Sequence, residues 1–173
     1  SPYPNPTSSI LNFNFEGVKT LFDISGQHIL TTSNTFIGSG LFDLFALSKA
    51  DHKIGLATDI GGGSSFSMLK VMASTYEIGQ LLGNAIHPAE LLWLSTVGSA
   101  KALHLNSKIG NLAKGMEADI TVLDLHSTSA ISQRALQANN IWELIFPTIM
   151  MGDDRAIKDV FIRGKKWASQ LTN

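Results

Sequence analysis

A strand, a polar glycine-bearing loop and a helix follow one another twice between residues 27 and 80, and this repetition narrows the fold more than any other feature of the sequence. Gln27-His28-Ile29-Leu30 reads as a strand that ends in the polar cluster Thr31-Thr32-Ser33-Asn34, followed by the turn Gly38-Ser39-Gly40. Leu41 to Ala50 then places apolar residues at 41, 42, 44, 45 and 47, which suits a buried helix. The second unit begins with Lys53-Ile54-Gly55-Leu56-Ala57 as a strand and continues through the loop Thr58-Asp59-Ile60-Gly61-Gly62-Gly63-Ser64. Ser65 is placed to cap a helix running through Gln80, on which Met68, Leu69, Met72, Ala73 and Tyr76 form one apolar stripe. Strand, loop, helix is the repeating unit of a parallel α/β protein, because parallel neighbours can be joined only by a crossover.

The flanks have a different texture. Three of the five prolines fall within the first six residues, Ser1-Pro2-Tyr3-Pro4-Asn5-Pro6, and favour an extended lead-in that reads as a cut end or an interdomain linker. Ile10 to Phe15 alternates apolar residues with Asn and suits a strand or part of one, and Gly17 to Phe22 is short and mildly amphipathic. Pro88 is a good first helical residue for a segment carrying Leu91, Leu92 and Leu94, and Ala100 to Leu105 suits another short helix. Beyond Asn106 the chain becomes turn-rich and then β-branched, from Ala118 to Asp124. Ala135 to Met150 reads as a helix interrupted by Pro147, and Arg163-Gly164-Lys165 as the turn of a hairpin between Val160-Phe161-Ile162 and Lys166-Trp167.

Composition removes several classes of function. Thirteen basic against fourteen acidic residues leave a net charge of −1, which gives no footprint for nucleic acid or an anionic membrane surface. Zero cysteines exclude a disulfide framework, a thiolate nucleophile and Cys-ligated metal centres, in keeping with a cytoplasmic protein. No apolar run reaches the roughly 18 residues of a membrane span, and the first residues do not have the pattern of a signal peptide.

Asp59 is the residue best placed for chemistry. It stands where the second strand should end, beside three glycines that allow close approach, and in parallel α/β architectures ligands bind at the carboxyl ends of strands. The competing reading is a loop cap in which its carboxylate accepts backbone N–H groups. The glycines do not form a nucleotide cradle, since neither Gly-x-x-x-x-Gly-Lys-Ser/Thr nor Gly-x-Gly-x-x-Gly is present, and no Gly-x-Ser-x-Gly elbow of a serine hydrolase occurs. His28, His52, His87, His104 and His126 include neither a His-x-His nor a His-Glu-x-x-His arrangement, so each reads as a surface or satisfied core histidine. Asp153-Asp154-Arg155 reads as a local ion pair or cap, and Trp93, Trp142 and Trp167 as packing residues.

Four segments taken in order carry a resemblance. They are Thr32-Ser33-Asn34 with Ile37-Gly38-Ser39-Gly40-Leu41-Phe42; Ala57-Thr58-Asp59-Ile60-Gly61-Gly62-Gly63; Ile109-Gly110-Asn111-Leu112 with Gly115-Met116-Glu117-Ala118-Asp119; and Met151-Gly152-Asp153-Asp154-Arg155. Together they resemble the guanine deaminases of the metal-dependent amidohydrolase superfamily, from about residue 16 to the end. The resemblance implies the C-terminal portion of a (β/α)8 TIM-type barrel plus part of a small β domain. Gln27 to Leu30 is similar to the seventh barrel strand and Lys53 to Ala57 to the eighth, while Ile120 to Leu125 and Val160 to Trp167 look like the β domain. On this basis residues 1–15 are a lead-in or truncated strand, 16–106 barrel elements, and 107–173 β-domain strands with an intervening helix.

The same resemblance implies hydrolytic deamination of guanine or a related purine to xanthine and ammonia. Asp59 then falls on a zinc ligand that also relays a proton, and Ser33, Asn34, Gly61, Gly62 and Gly63 lie in loops beside the substrate. The family's other histidine ligands and its catalytic glutamate have no counterpart here, and Thr7-Ser8-Ser9-Ile10 lacks the histidine expected of strand six. Because a catalytic zinc needs three or more protein ligands, this chain alone is expected to bind zinc weakly and to be inactive. A barrel takes about 250 residues, so 173 residues with its last strands are part of a domain. Its exposed edges are expected to pair with a second copy or with the missing N-terminal half. The alternative is a non-catalytic half-barrel that self-associates or binds a partner.

Overall fold

The computed structural model describes residues 11–15, 18–22, 28–31, 41–49, 53–59 and 62–167. Two sheets organise the described residues. The first has the order β1-β2-β3-β4, built from β1 (Leu11–Phe15), β2 (Val18–Phe22), β3 (His28–Thr31) and β4 (Ile54–Ala57). The β1–β2 and β2–β3 pairs are antiparallel, whereas β3 and β4 are parallel with Leu30 opposite Leu56 and Thr31 opposite Ala57. That parallel pair is the one the repeated strand–loop–helix unit requires.

The helix α1 (Leu44–Lys49) lies between β3 and β4 in sequence, and α2 (Met68–Leu81) follows β4. Both begin later than their apolar pattern suggests. Asp43 starts α1 by accepting from the amide of Ala46 through Oδ1 at 2.9 Å. Before α2 the Ser65 hydroxyl accepts from the amide of Ser67 at 3.0 Å, so Ser65 closes a turn and Ser67 takes the cap position.

Pro88 does open a helix. From α3 (Pro88–Trp93) the backbone passes through a π turn, Leu94–Gly98, straight into α4 (Ser99–Ala102), so two expected helices are one continuous rod. The C-terminal helical stretch is interrupted at a different place from the one expected. It divides into α5 (Ser129–Ala135) and α6 (Ile141–Met151), with the break before Asn140 and Pro147 inside α6. Asn140 accepts from the amides of both Trp142 and Glu143 at 3.0 Å, and this cap outweighs the proline. Pro147 removes only one intrahelical donor.

The second sheet has the order β5-β6-β7, with β5 (Ile120–Leu123), β6 (Ile157–Ile162) and β7 (Lys165–Lys166) all antiparallel. Its hairpin turns at Arg163 and Gly164, whose φ values of 50° and 74° are the doubly positive pair of a type I′ turn. A single apolar cluster joins the elements, drawing Leu44 from α1, Ile54 and Leu56 from β4, Leu69 and Met72 from α2, Leu91 from α3 and Ile149 from α6. Fully burying each such side chain contributes about 1.5–3 kcal/mol. The tryptophans are not core residues: Trp93, Trp142 and Trp167 are all exposed. Trp93 offers its ring face to the Lys101 ammonium, 5.5 Å from the centroid, and Trp142 meets His87 edge to face.

Candidate functional site

Strand β4 is buried along Ile54, Gly55 and Leu56 and ends at Ala57, and Asp59 follows two residues beyond that end. The backbone there is held in an unfavourable conformation. Asp59 has φ 49°, the left-handed region in which an L-residue pays a steric cost, and it is one of three non-glycine residues so placed among those described. Two amides fold back onto it, since Gly62 and Gly63 both donate to the Asp59 carbonyl, at 2.9 and 2.6 Å.

The glycines are needed for space. A Cβ on Gly62 would stand 2.7 Å from Asp59 Oδ2, so the carboxylate lies directly over the Gly62 α-carbon. A Cβ on Gly63 would run into the backbone carbonyl oxygen of Thr58. The loop thus stacks a carboxylate on bare backbone, half-buried at the C-terminal end of a parallel strand. Strain maintained at such a position is characteristic of functional sites. Of the residues singled out by sequence, the structure brings Asp59, Gly62 and Gly63 together; Ser33, Asn34 and Gly61 lie outside the described residues.

The histidines are dispersed. His87 caps α3, its Nδ1 accepting from the amide of Ala89 at 3.2 Å, and His126 Nδ1 lies 2.9 Å from the hydroxyl of Ser132. His104 occupies a left-handed position with φ 57° after α4, and His28 lies in β3, while His52 is outside the described residues. Among the described residues no group of three or more His, Asp or Glu side chains converges as a metal site. The donor set therefore does not fit a complete zinc centre, to which Asp59 would contribute one ligand of the three or more required.

The other acidic residues of interest are committed to structure. Asp153 accepts from the Arg155 guanidinium, with Nη2 to Oδ2 at 2.6 Å, and these bonds hold its carboxyl below the usual range. Glu143 borders a cleft of about 530 Å³ lined by Tyr76, His87, Trp142 and Phe146 among others. Its carboxylate accepts from the amide of Asn139 at 2.8 Å and from the side-chain amides of Asn139 and Asn140. Those bonds, the backbone one foremost, lower its pKa and employ it as a helix cap. The residue that sequence reasoning passed over is Ser99, whose hydroxyl proton faces both the Leu94 carbonyl at 2.8 Å and the Leu56 carbonyl at 3.0 Å, the second across 43 residues of chain. No local pattern signals such a contact.

Comparison with known proteins sets this geometry in context. The sequence profile described as the Amidohydrolase family matches residues 5–166. Guanine deaminase of Escherichia coli (strain K12) is 36% identical over 134 residues, covering 78% of this chain and 30% of that relative. A probable guanine deaminase of Deinococcus radiodurans is 33% identical over 135 residues, covering 76% of this chain and 31% of the relative. Among solved structures, E. coli guanine deaminase superposes with TM-score 0.76 at 35% identity, over 79% of this chain and 32% of the other. Guanine deaminase from Bradyrhizobium japonicum gives 0.73 at 29% identity, over 81% and 37%. The chain spans just under a third of the length of these curated relatives.

Proposed function

The chain belongs to the amidohydrolase family, and from that premise we propose that it carries the C-terminal portion of a guanine deaminase-type hydrolase, with Asp59 as its contribution to the chemistry. Its fold is accordingly part of an amidohydrolase (β/α)8 barrel. In this reading residues 16–106 supply barrel elements, with β3 and β4 as the seventh and eighth strands, and residues 107–173 supply the β domain. The substrate is guanine or a closely related purine.

The observation that carries this reading is the placement of Asp59. It combines the C-terminal end of a parallel strand, a left-handed backbone and a carboxylate laid over Gly62. In the parent reaction water adds to the C=N bond at the carbon bearing the exocyclic amine, and the bond from that carbon to the amine then breaks to release ammonia. A zinc ion held by Asp59 together with further ligands would supply water that is acidic near neutral pH. What this chain supplies is a base: Asp59 accepts a proton at a carboxylate oxygen and returns it to the departing amine. Gly62 and Gly63 keep the space around that oxygen free of side chains.

Asp59 alone does not complete a metal site, so catalysis calls for ligands beyond those that the described residues bring together. Guanine hydrolysis by the full gene product carrying this segment, compared with its Asp59→Asn variant, tests the assignment. The carboxylate's role as base and ligand calls for a fall in kcat of at least about a hundredfold, the lower end for losing a general base.

A further inference from the structure

We propose that Ser99 is a positioning residue for Asp59, its hydroxyl fixing the end of β4 from which the carboxylate projects; this rests on the reading of Asp59 as the reacting group. Three observations converge on Ser99. The first is contact at backbone distance. A Cβ on Gly55 of β4 would lie 2.6 Å from Ser99 Cα, and one on Gly98 would lie 2.9 Å from the Ile54 carbonyl. Helix and strand approach each other here through the two glycines, each with backbone of the other element within 3 Å of where its Cβ would be.

The second is the π turn. The hydroxyls of Ser95 and Thr96 donate to the carbonyls four residues back, Leu91 at 2.8 Å and Leu92 at 2.7 Å, while Ser99 reaches five back to Leu94 at 2.8 Å. Hydroxyls that bond back into a helix bend it, and one extra residue per turn is a recurrent device at functional sites. Here the widened turn carries Ser99 onto the strand.

The third is the bond itself. The same hydroxyl lies 3.0 Å from the carbonyl of Leu56, three residues before Asp59, so its one proton is shared between the Leu94 carbonyl of the π turn and the Leu56 carbonyl of the strand. β3 pairs with β4 as far as Ala57 on one side. Ser99 holds the strand from the helix side at the same level, so Thr58 and Asp59 leave a segment that is fixed twice. The strained Asp59 conformation is thereby supported from behind.

Amide hydrogen exchange of the chain tests this without any catalytic assay. The reporters are the Gly62 and Gly63 amides, which donate to the Asp59 carbonyl. Ser99→Ala is expected to speed their exchange by about tenfold, as loss of one local hydrogen bond should. Exchange in the middle of α2, at Met72 and Ala73, stays unchanged, and Ser99→Thr restores protection by returning the hydroxyl. Unchanged exchange at both glycines overturns the proposal. So does a uniform acceleration that includes α2, or a threonine variant that behaves like alanine. Mn²⁺ added alone provides the separate control for the underlying reading. It should broaden the two glycine signals in the wild type and not in Asp59→Asn; equal broadening in both counts against Asp59 as a ligand, while the exchange rates still decide the role of Ser99.

Discussion

The Asp59 carboxylate lies over the α-carbon of Gly62, close enough that a Cβ there would stand 2.7 Å from Oδ2, while the Gly62 amide donates to the Asp59 carbonyl. The two residues form one unit, in which bare backbone makes room for a carboxylate that a larger side chain would displace. Gly62→Ala should therefore move the side chain more than it harms the fold. The expected loss of stability is under about 1 kcal/mol, because the carboxylate can swing away. Gly63→Ala meets the backbone oxygen of Thr58 instead and should cost about 1–3 kcal/mol, since backbone must shift. Denaturant melts of the two variants check this order, and a more damaging Gly62→Ala would contradict it.

Asp59 itself separates a functional residue from a structural cap. A cap stabilises, so its removal costs stability. A strained functional residue behaves in the opposite way, since glycine adopts φ 49° without the penalty of a Cβ. Asp59→Gly should leave the midpoint of denaturation unchanged or raise stability by up to about 1 kcal/mol. A loss of about 1 kcal/mol or more would return Asp59 to the role of a cap.

Sensitivity to acid follows from two carboxylates held in their charged form. Glu143 is lowered from an ordinary 4.5, first by the Asn139 backbone N–H, and Asp153 from an ordinary 3.8, first by its side-chain hydrogen bonds to Arg155. A depressed carboxyl contributes stability above its unfolded value and loses it as pH falls through the folded one. Thermal midpoints should thus hold steady above about pH 5 and decline on further acidification. Glu143→Gln keeps the Asn140 cap and removes the charge, so together with Asp153→Asn it should flatten the decline. An identical acid slope in the double variant would contradict the assignment.

Association should be measurable. Phe66, Leu81, Leu112 and Leu136 are each at least 75% exposed, and an open part-barrel leaves edges free to pair. Light scattering across a concentration series should show mass increasing with concentration. A monomer unchanged at the highest concentration would count against the self-associating alternative and against open barrel faces.

Much of this was legible from local pattern, and what was not depended on distance along the chain. The parallel pairing of β3 with β4 and the position of Asp59 follow from two strand–loop–helix units read in order. The turn at Arg163 and Gly164 declares itself by residue type. The start of α2 was hidden because Ser65 and Ser67 are both credible caps, and only the Ser65 hydroxyl's bond to the Ser67 amide decides between them. The break before α6 went to Asn140 because two capping bonds there outweigh one lost at Pro147. Ser99 is invisible, because one serine among several in a helical segment carries no sign of a strand carbonyl 43 residues away. The tryptophans stay exposed despite their apolar neighbours in sequence, because such a neighbourhood does not fix which face a large ring presents.

In the proposed reading this chain supplies one carboxylate to a guanine-deaminating zinc site whose remaining ligands lie outside it. Ammonia release from guanine by the purified chain, with and without added zinc, tests it most directly. No release above the uncatalysed rate is expected in either condition. Zinc-dependent turnover that disappears in Asp59→Asn would contradict it, because a complete catalytic centre would then reside within these 173 residues.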